Sequence, residues 1–273
     1  MAKMLLETNH ARLPRALDLQ RTMESGQTPT FTWRRESENA YRKLDGNGML
    51  TLAEGKLSLA PQFKRQSLEM LRAQDDLQKI FAKLAEDDAV MAGATSAFPG
   101  LRLTKSDAWE TTASFIASQN NNIPRIKKIV AGLHANGGFL QPEEILAANL
   151  APLKMGYREK YLKATAEMIA RNGFSLEKLA RLPTAEARLQ LLQLPGVGPK
   201  VADCIMLYGL GKTDAFPLDV WVARAMKERY GVESKGAQAF AERKWGSLAG
   251  YAQQLLFERA RTTTESVLSN RTA

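Results

Sequence analysis

The run Leu194, Pro195, Gly196, Val197, Gly198, Pro199, Lys200, Val201, Ala202, Asp203, Cys204 decides how the second half of this 273-residue chain folds. Residues 185–193 before it have helical spacing. The two glycines permit a tight turn that a ligand can approach closely, and Pro199 suits the first turn of a second helix. The expected unit is a helix-hairpin-helix. Free backbone amides at the positive end of its second helix suit a phosphate, so Gly196 and Gly198 are candidate contacts for a nucleic-acid backbone. Lys200 is electrostatically out of place at that helix start unless an anion lies near. Asp219 follows 19 residues later, in Phe216, Pro217, Leu218, Asp219, Val220, and has the look of a helix cap.

Outward from the hairpin, helical spacing extends over 112–119, 123–134, 157–171, 199–209, 219–230 and 247–261, and starts as early as Leu77, Ile80, Phe81 and Leu84. Residues 16–62 differ. Phe31, Thr32, Trp33 and Met49, Leu50, Thr51, Leu52 alternate as strands do, with a turn at Asp45, Gly46, Asn47, Gly48. The expected fold is α+β, mainly α: an antiparallel sheet domain over 1–100 and a helical domain over 101–273.

Composition narrows the chemistry. Lysine and arginine outnumber aspartate and glutamate by 38 to 29, a net charge of +9, which suits a polyanionic partner. One cysteine, Cys204, excludes an intramolecular disulfide and any four-cysteine zinc or iron–sulfur site. With two histidines, His10 and His134, a catalytic zinc site is not expected either. No cofactor and no metal are expected, which leaves amines and carboxylates to do the chemistry. Residues 1–19 carry charges throughout and no apolar run of signal-peptide length, so a cytoplasmic place, on the nucleoid in a bacterium, and no membrane contact are expected.

Five segments together carry a resemblance: Gly26 and Gln27; Ser118, Gln119, Asn120, Asn121, Asn122, Ile123, Pro124, Arg125; Gly156, Tyr157, Arg158; the hairpin through Asp219; and residues 251–257. In order and spacing they resemble the helix-hairpin-helix (HhH-GPD) DNA glycosylase superfamily, and within it the 8-oxoguanine-excising members that carry a hairpin lysine. The resemblance implies a DNA repair enzyme that flips 8-oxoguanine, paired with cytosine, out of duplex DNA, excises it, and cuts the strand as a lyase. It also implies a sheet domain packed on a two-part helical domain, working as a monomer.

Roles follow from the same resemblance. Lys200 is the nucleophile that forms a Schiff base, and Asp219 stabilises the positively charged sugar. Gly26, Cys204, Gln253 and Phe257 form the base pocket, with the Gly26 carbonyl accepting the N7 proton that oxidised guanine has and guanine lacks. Asn120, Asn122, Arg125, Tyr157 and Arg158 fill the gap in the stack and read the orphaned cytosine. The chain departs from the pattern at Thr28, Pro29, Thr30, which insert two residues after Gln27, and at Trp221, where the family commonly has a phosphate-contacting histidine. Two alternatives stay open: a glycosylase for another damaged purine, and a non-catalytic DNA-binding hairpin module.

Overall fold

In the computed structural model, residues 9–11, 17–54, 56–135 and 137–272 are described. Much of the 1–19 segment, including the first eight residues of the expected sheet domain, therefore lies outside the description. Strands β1 (Asn9–Ala11), β2 (Trp33–Ser37), β3 (Ala40–Lys43), β4 (Met49–Ala53) and β5 (Lys56–Leu59) form an antiparallel sheet in the order β1-β5-β4-β3-β2. Tyr41, Leu50, Leu57 and Leu59 pack a small core with Leu19, Met23, Met70 and Leu71. The sheet thus buries one side against helices α1 (Leu19–Glu24) and α3 (Lys64–Met70).

Phe31 and Thr32 are not in a strand. Pro29–Thr32 forms a single helical turn, α2, and the strand starts at Trp33. Pro29 fixes the first backbone angle of that turn, and all four of its residues are buried, so the alternation read from the sequence had no solvent side to match.

The remaining helices are α4 (Leu77–Ala85), α5 (Ala89–Ala97), α6 (Ala108–Ser118), α7 (Ile123–Gly132), α8 (Pro142–Ala147), α9 (Tyr157–Ala170) and α10 (Leu176–Arg181). They continue with α11 (Thr184–Leu191), α12 (Pro199–Cys204), α13 (Val220–Tyr230), α14 (Ser234–Trp245) and α15 (Ala249–Thr272). Polar side chains set many of the starts: Asp18, Asp76, Asp88, Asp107, Asn122, Ser175 and Asp219 each accept from an amide in the first turn. Each such cap contributes about 1 kcal/mol. The helices enclose a large second core that runs from Leu77 to Leu256 and includes Phe31.

Arg102 fastens the sheet side to the helical side. Its fully buried guanidinium donates to the carbonyls of Leu71, Arg72 and Asp75, where the chain leaves the small core and enters α4. The expected helix over 199–209 also changes character: beyond Cys204 the backbone widens into a π-turn over Ile205–Gly209. Among the described residues, no helix is long and apolar enough to cross a membrane.

Candidate active site and nucleic-acid interface

The hairpin is locked from two sides. Gly196 has φ +77°, and a Cβ there would lie 2.5 Å from Cγ of Tyr161 on α9, so a side chain would force the turn off that helix. Gln119 Nε2 donates to the Gly196 carbonyl at 2.8 Å, and Thr165 Oγ1 donates to the Pro195 carbonyl at 3.0 Å. Gly198 caps α12 with open space around its Cα, and Pro199 opens the helix. The backbone here is fixed in place yet open to a ligand.

Lys200 and Asp219 converge on one narrow pocket together with Gly26, Cys204, Gln253 and Phe257. All six residues expected at the chemistry and the base pocket are thus brought together. Lys200 Nζ sits 5.0 Å from the centre of the Phe115 ring, on the second residue of α12. Asp219 caps α13, with Oδ1 accepting from the amides of Val222 at 2.8 Å and Trp221 at 3.0 Å. Burial holds its carboxyl above the ordinary value, while the Val222 amide and the Lys200 charge pull it back. Burial likewise pushes the Cys204 thiol up to about 12, so Cys204 offers a neutral, polarisable wall rather than a nucleophile.

A wider cleft of about 370 Å³ lies against Trp33 and Glu110. Of its two lysines, Lys43 and Lys105, the first is paired with Asp45 and Glu110.

Gly26 and Phe257 form the opposite wall. Gly26 has φ +76°, and a Cβ there would lie 3.1 Å from Cζ of Phe257, so the ring covers the glycine closely. Buried Gln27 holds the loop: its Nε2 donates to the Arg102 carbonyl at 2.9 Å, and its Oε1 accepts from the Thr104 amide at 2.8 Å. Thr30, which follows Thr28 and Pro29, accepts from the Gly26 amide at 3.0 Å and so braces the glycine. Two contacts tie this loop and its helix to α15. Gln254 Nε2 donates to the Ser25 carbonyl at 3.0 Å, and Arg21 pairs with buried Glu258 at 2.8 Å.

Sequence reasoning missed four pocket residues: Ser25, Phe115, Tyr208 and Pro217. Tyr208 stacks on Phe115 with ring centres 5.7 Å apart and points its hydroxyl at α15. No helical spacing places it there, because it stands in the π-turn.

The residues expected to enter the duplex cluster outside the pocket. Asn120 has φ +45° and donates to the Tyr157 hydroxyl at 3.1 Å, and Tyr157 is half exposed. Asn122 caps α7 by accepting from the Arg125 amide. Exposed Arg125 donates to the Lys154 carbonyl at 2.8 Å. Arg158 is buried, and its guanidinium donates to the carbonyls of Gln119, Asn120 and Met155. Arg158 therefore shapes the asparagine loop from beneath, while Arg125 and Tyr157 face outward.

A buried network stands behind Lys200 and Asp219. Asp203, one turn after Lys200, accepts from Arg188 Nη2 at 2.6 Å and from Gln238 Nε2 at 2.7 Å. The same Gln238 nitrogen donates to the Phe216 carbonyl at 2.8 Å. Gln238 thus bridges the helix of Lys200 and the segment leading to Asp219. Burial pushes the Asp203 carboxyl up to about 6, against the pull of Arg188 and Gln238.

A hairpin lysine and a capping aspartate facing one pocket define a DNA glycosylase of the helix-hairpin-helix class. The chain belongs to the HhH-GPD superfamily of base excision DNA repair proteins, which matches residues 113–248, and the 8-oxoguanine DNA glycosylase N-terminal domain matches residues 11–112. It is 28% identical to a probable N-glycosylase/DNA lyase of Methanothermobacter thermautotrophicus, over 89% of this chain and 93% of that protein. Among solved structures, MBOgg1 in complex with a low affinity DNA ligand superposes with a TM-score of 0.85 at 33% identity, covering 93% of this chain and 96% of that one. The 8-oxoguanine glycosylase/lyase of Clostridium acetobutylicum, in complex with double-stranded DNA containing cytosine opposite 8-oxoG, gives 0.86 at 29% identity, covering 94% and 96%.

Proposed function

We propose that this protein is a bifunctional 8-oxoguanine DNA glycosylase and lyase that acts on duplex DNA. The observation that carries the reading is the convergence of Lys200 and Asp219 on a pocket walled by Phe257, Gln253 and Gly26. The hairpin around Gly196 and Gly198 grips the backbone, and the damaged base leaves the stack to enter the pocket. Tyr157 and Asn120 fill the space it vacates. Arg125 and Asn122 meet the cytosine, on a loop that Arg158 supports.

In the pocket the neutral amine of Lys200 attacks C1′ as the bond to N9 breaks, and the departing base takes a proton. Asp219 faces the positive charge that grows on the sugar, which is where a fixed carboxylate stabilises the transition state most. Opening of the sugar ring gives a Schiff base between Nζ and C1′. Loss of the C2′ proton then expels the 3′ oxygen and cuts the strand on that side. A single chain supplies every one of these groups, which supports action as a monomer. The proposed division of labour gives Gly26, from residues 1–100, to base recognition and the rest of the machinery to residues 101–273.

The test is a duplex with 8-oxoguanine opposite cytosine. The expected products are free 8-oxoguanine and a strand cut 3′ to the vacated site. Release of the base with the strand intact would reduce the protein to a glycosylase without lyase activity, and no release would overturn the reading.

A further inference from the structure

The Tyr208 hydroxyl sits between two glutamines of α15: Oη is 2.7 Å from Oε1 of Gln254 and 3.1 Å from Oε1 of Gln253. A phenol has one proton to donate. Which glutamine receives it is decided one residue further along. Nε2 of Gln254 lies 3.0 Å from the Ser25 carbonyl, a group that only accepts, so Gln254 must turn its amine to Ser25 and its carbonyl to Tyr208. The proton therefore goes to Gln254, across the shorter contact. Only lone pairs remain on Tyr208 to face Gln253.

Two oxygens 3.1 Å apart with no proton between them repel. Exchanging the two ends of the Gln253 amide, which have nearly the same shape, replaces that repulsion with an N–H donated to Tyr208. Tyr208, Gln253 and Gln254 are all buried, so water does not compete for these bonds. Burial also holds the phenol well above its ordinary pKa, so it keeps its proton. The other end of Gln253 bonds to no described residue and borders the pocket.

We propose that Ser25, Gln254 and Tyr208 form a polar relay that fixes the Gln253 amide with its carbonyl oxygen toward the extruded base, making Tyr208 and Gln254 positioning residues for base specificity. The proposal rests on the glycosylase reading above. A fixed acceptor matches a guanine-type edge, which offers N–H groups at N1 and at the exocyclic C2 amine. An adenine-type edge brings an unprotonated N1 to the same place, lone pair against lone pair, and carries its amine where the guanine type has a carbonyl. Stacking on Phe257 tolerates both purines, so the relay is what separates them.

The experiment measures single-turnover excision of 8-oxoguanine and of 8-oxoadenine from otherwise identical duplexes. Each rate is divided by the same protein's lyase rate on a ready-made abasic site. The wild-type protein should favour 8-oxoguanine by about tenfold or more. Tyr208→Phe keeps the ring but frees the amide, and the preference should fall several-fold. Gln254→Leu returns the Tyr208 proton to Gln253, turns the amide over, and should lower the preference further than Tyr208→Phe does. General damage to the fold would slow both excisions together and leave their ratio unchanged. If Tyr208→Phe does not fold, Gln254→Leu, which puts an apolar chain in a buried place, carries the test. A wild-type ratio near one, or variants that keep the wild-type ratio, would overturn the relay. A wild-type protein with no excision and no lyase activity would instead overturn the glycosylase reading itself.

Discussion

The two walls of the pocket are built on opposite principles. Lys200 and Asp219 stand at two helix starts, Asp219 with its carboxyl raised by burial, and behind them lies the buried carboxyl of Asp203. Gly26, Gln253 and Phe257 stand in the reverse situation, on a loop and helix whose polar groups are nearly all satisfied through Gln27, Gln254 and Glu258. The contrast sets a proposed reactive wall of ionisable groups against a shaped wall that is settled in packing. Reactivity should therefore be lost at little cost in stability on the first, whereas recognition and stability should fall together on the second.

The largest effect should come from Lys200, the proposed nucleophile. Lys200→Gln is expected to lower strand cleavage by on the order of 10³-fold or more while duplex binding persists, as read by gel shift and single-turnover cleavage. Residual cleavage near the wild-type rate would place the reactive amine elsewhere.

Next comes Asp219→Asn, with an expected loss of about 10²–10³-fold in excision, because its charge matters most as the sugar becomes positive. Stability should move the other way. The folded-state pKa of Asp219 is raised, so the stability it contributes is full below the unfolded value of 3.8 and is lost as pH rises through the folded value. Asparagine caps equally well and carries no such charge. The variant's melting temperature should therefore match or exceed that of the wild type at pH 7, by a margin that shrinks on acidification. A much lower melting temperature at pH 7 would mean that the carboxylate is there mainly to hold the fold.

The shaped wall gives a contrasting outcome. Gly26→Ala must fit a side chain at φ +76°, with Phe257 at 3.1 Å, so excision and melting temperature should fall together, with excision down by about tenfold or more. Loss of excision with an unchanged melting temperature would erase the distinction between the walls.

A smaller effect concerns pH. Asp203 titrates near 6, raised above 3.8, so the stability it contributes is full below 3.8 and declines as pH rises through about 6. Below that pH the carboxyl is neutral and its hold on Arg188 and Gln238 weakens, so excision should show an acidic limb near pH 6. Arg188→Met removes the opposing cation and should move that limb to higher pH. An unmoved limb would detach Asp203 from activity.

The reactive wall was also the more legible one. Lys200, the glycines and Asp219 are encoded in short runs where turn and cap rules apply, and most helices were visible in their spacing. What could not be read depends on distant contacts. The helical turn at Pro29–Thr32 is buried all round, the π-turn that carries Tyr208 has no local sequence signature, and the inward turn of Arg158 needs carbonyls 38 and 39 residues away. Gly26 was legible as a residue, but its bracing by Thr30 and α15 was not.

The smallest effect is expected outside the pocket. Arg125→Ala should leave stability unchanged and reduce the preference for cytosine opposite the lesion by several-fold, measured against all four opposite bases. A uniform loss across the four would make Arg125 a phosphate contact.

The central claim is that the amine of Lys200 forms the covalent bond to the damaged nucleotide. Borohydride reduction during turnover on an 8-oxoguanine duplex, followed by proteolysis and mass spectrometry of the trapped adduct, tests it most directly. The expected result is one sugar adduct on the peptide containing Lys200. An adduct on any other amine, or none from a protein that cleaves the strand, would contradict it.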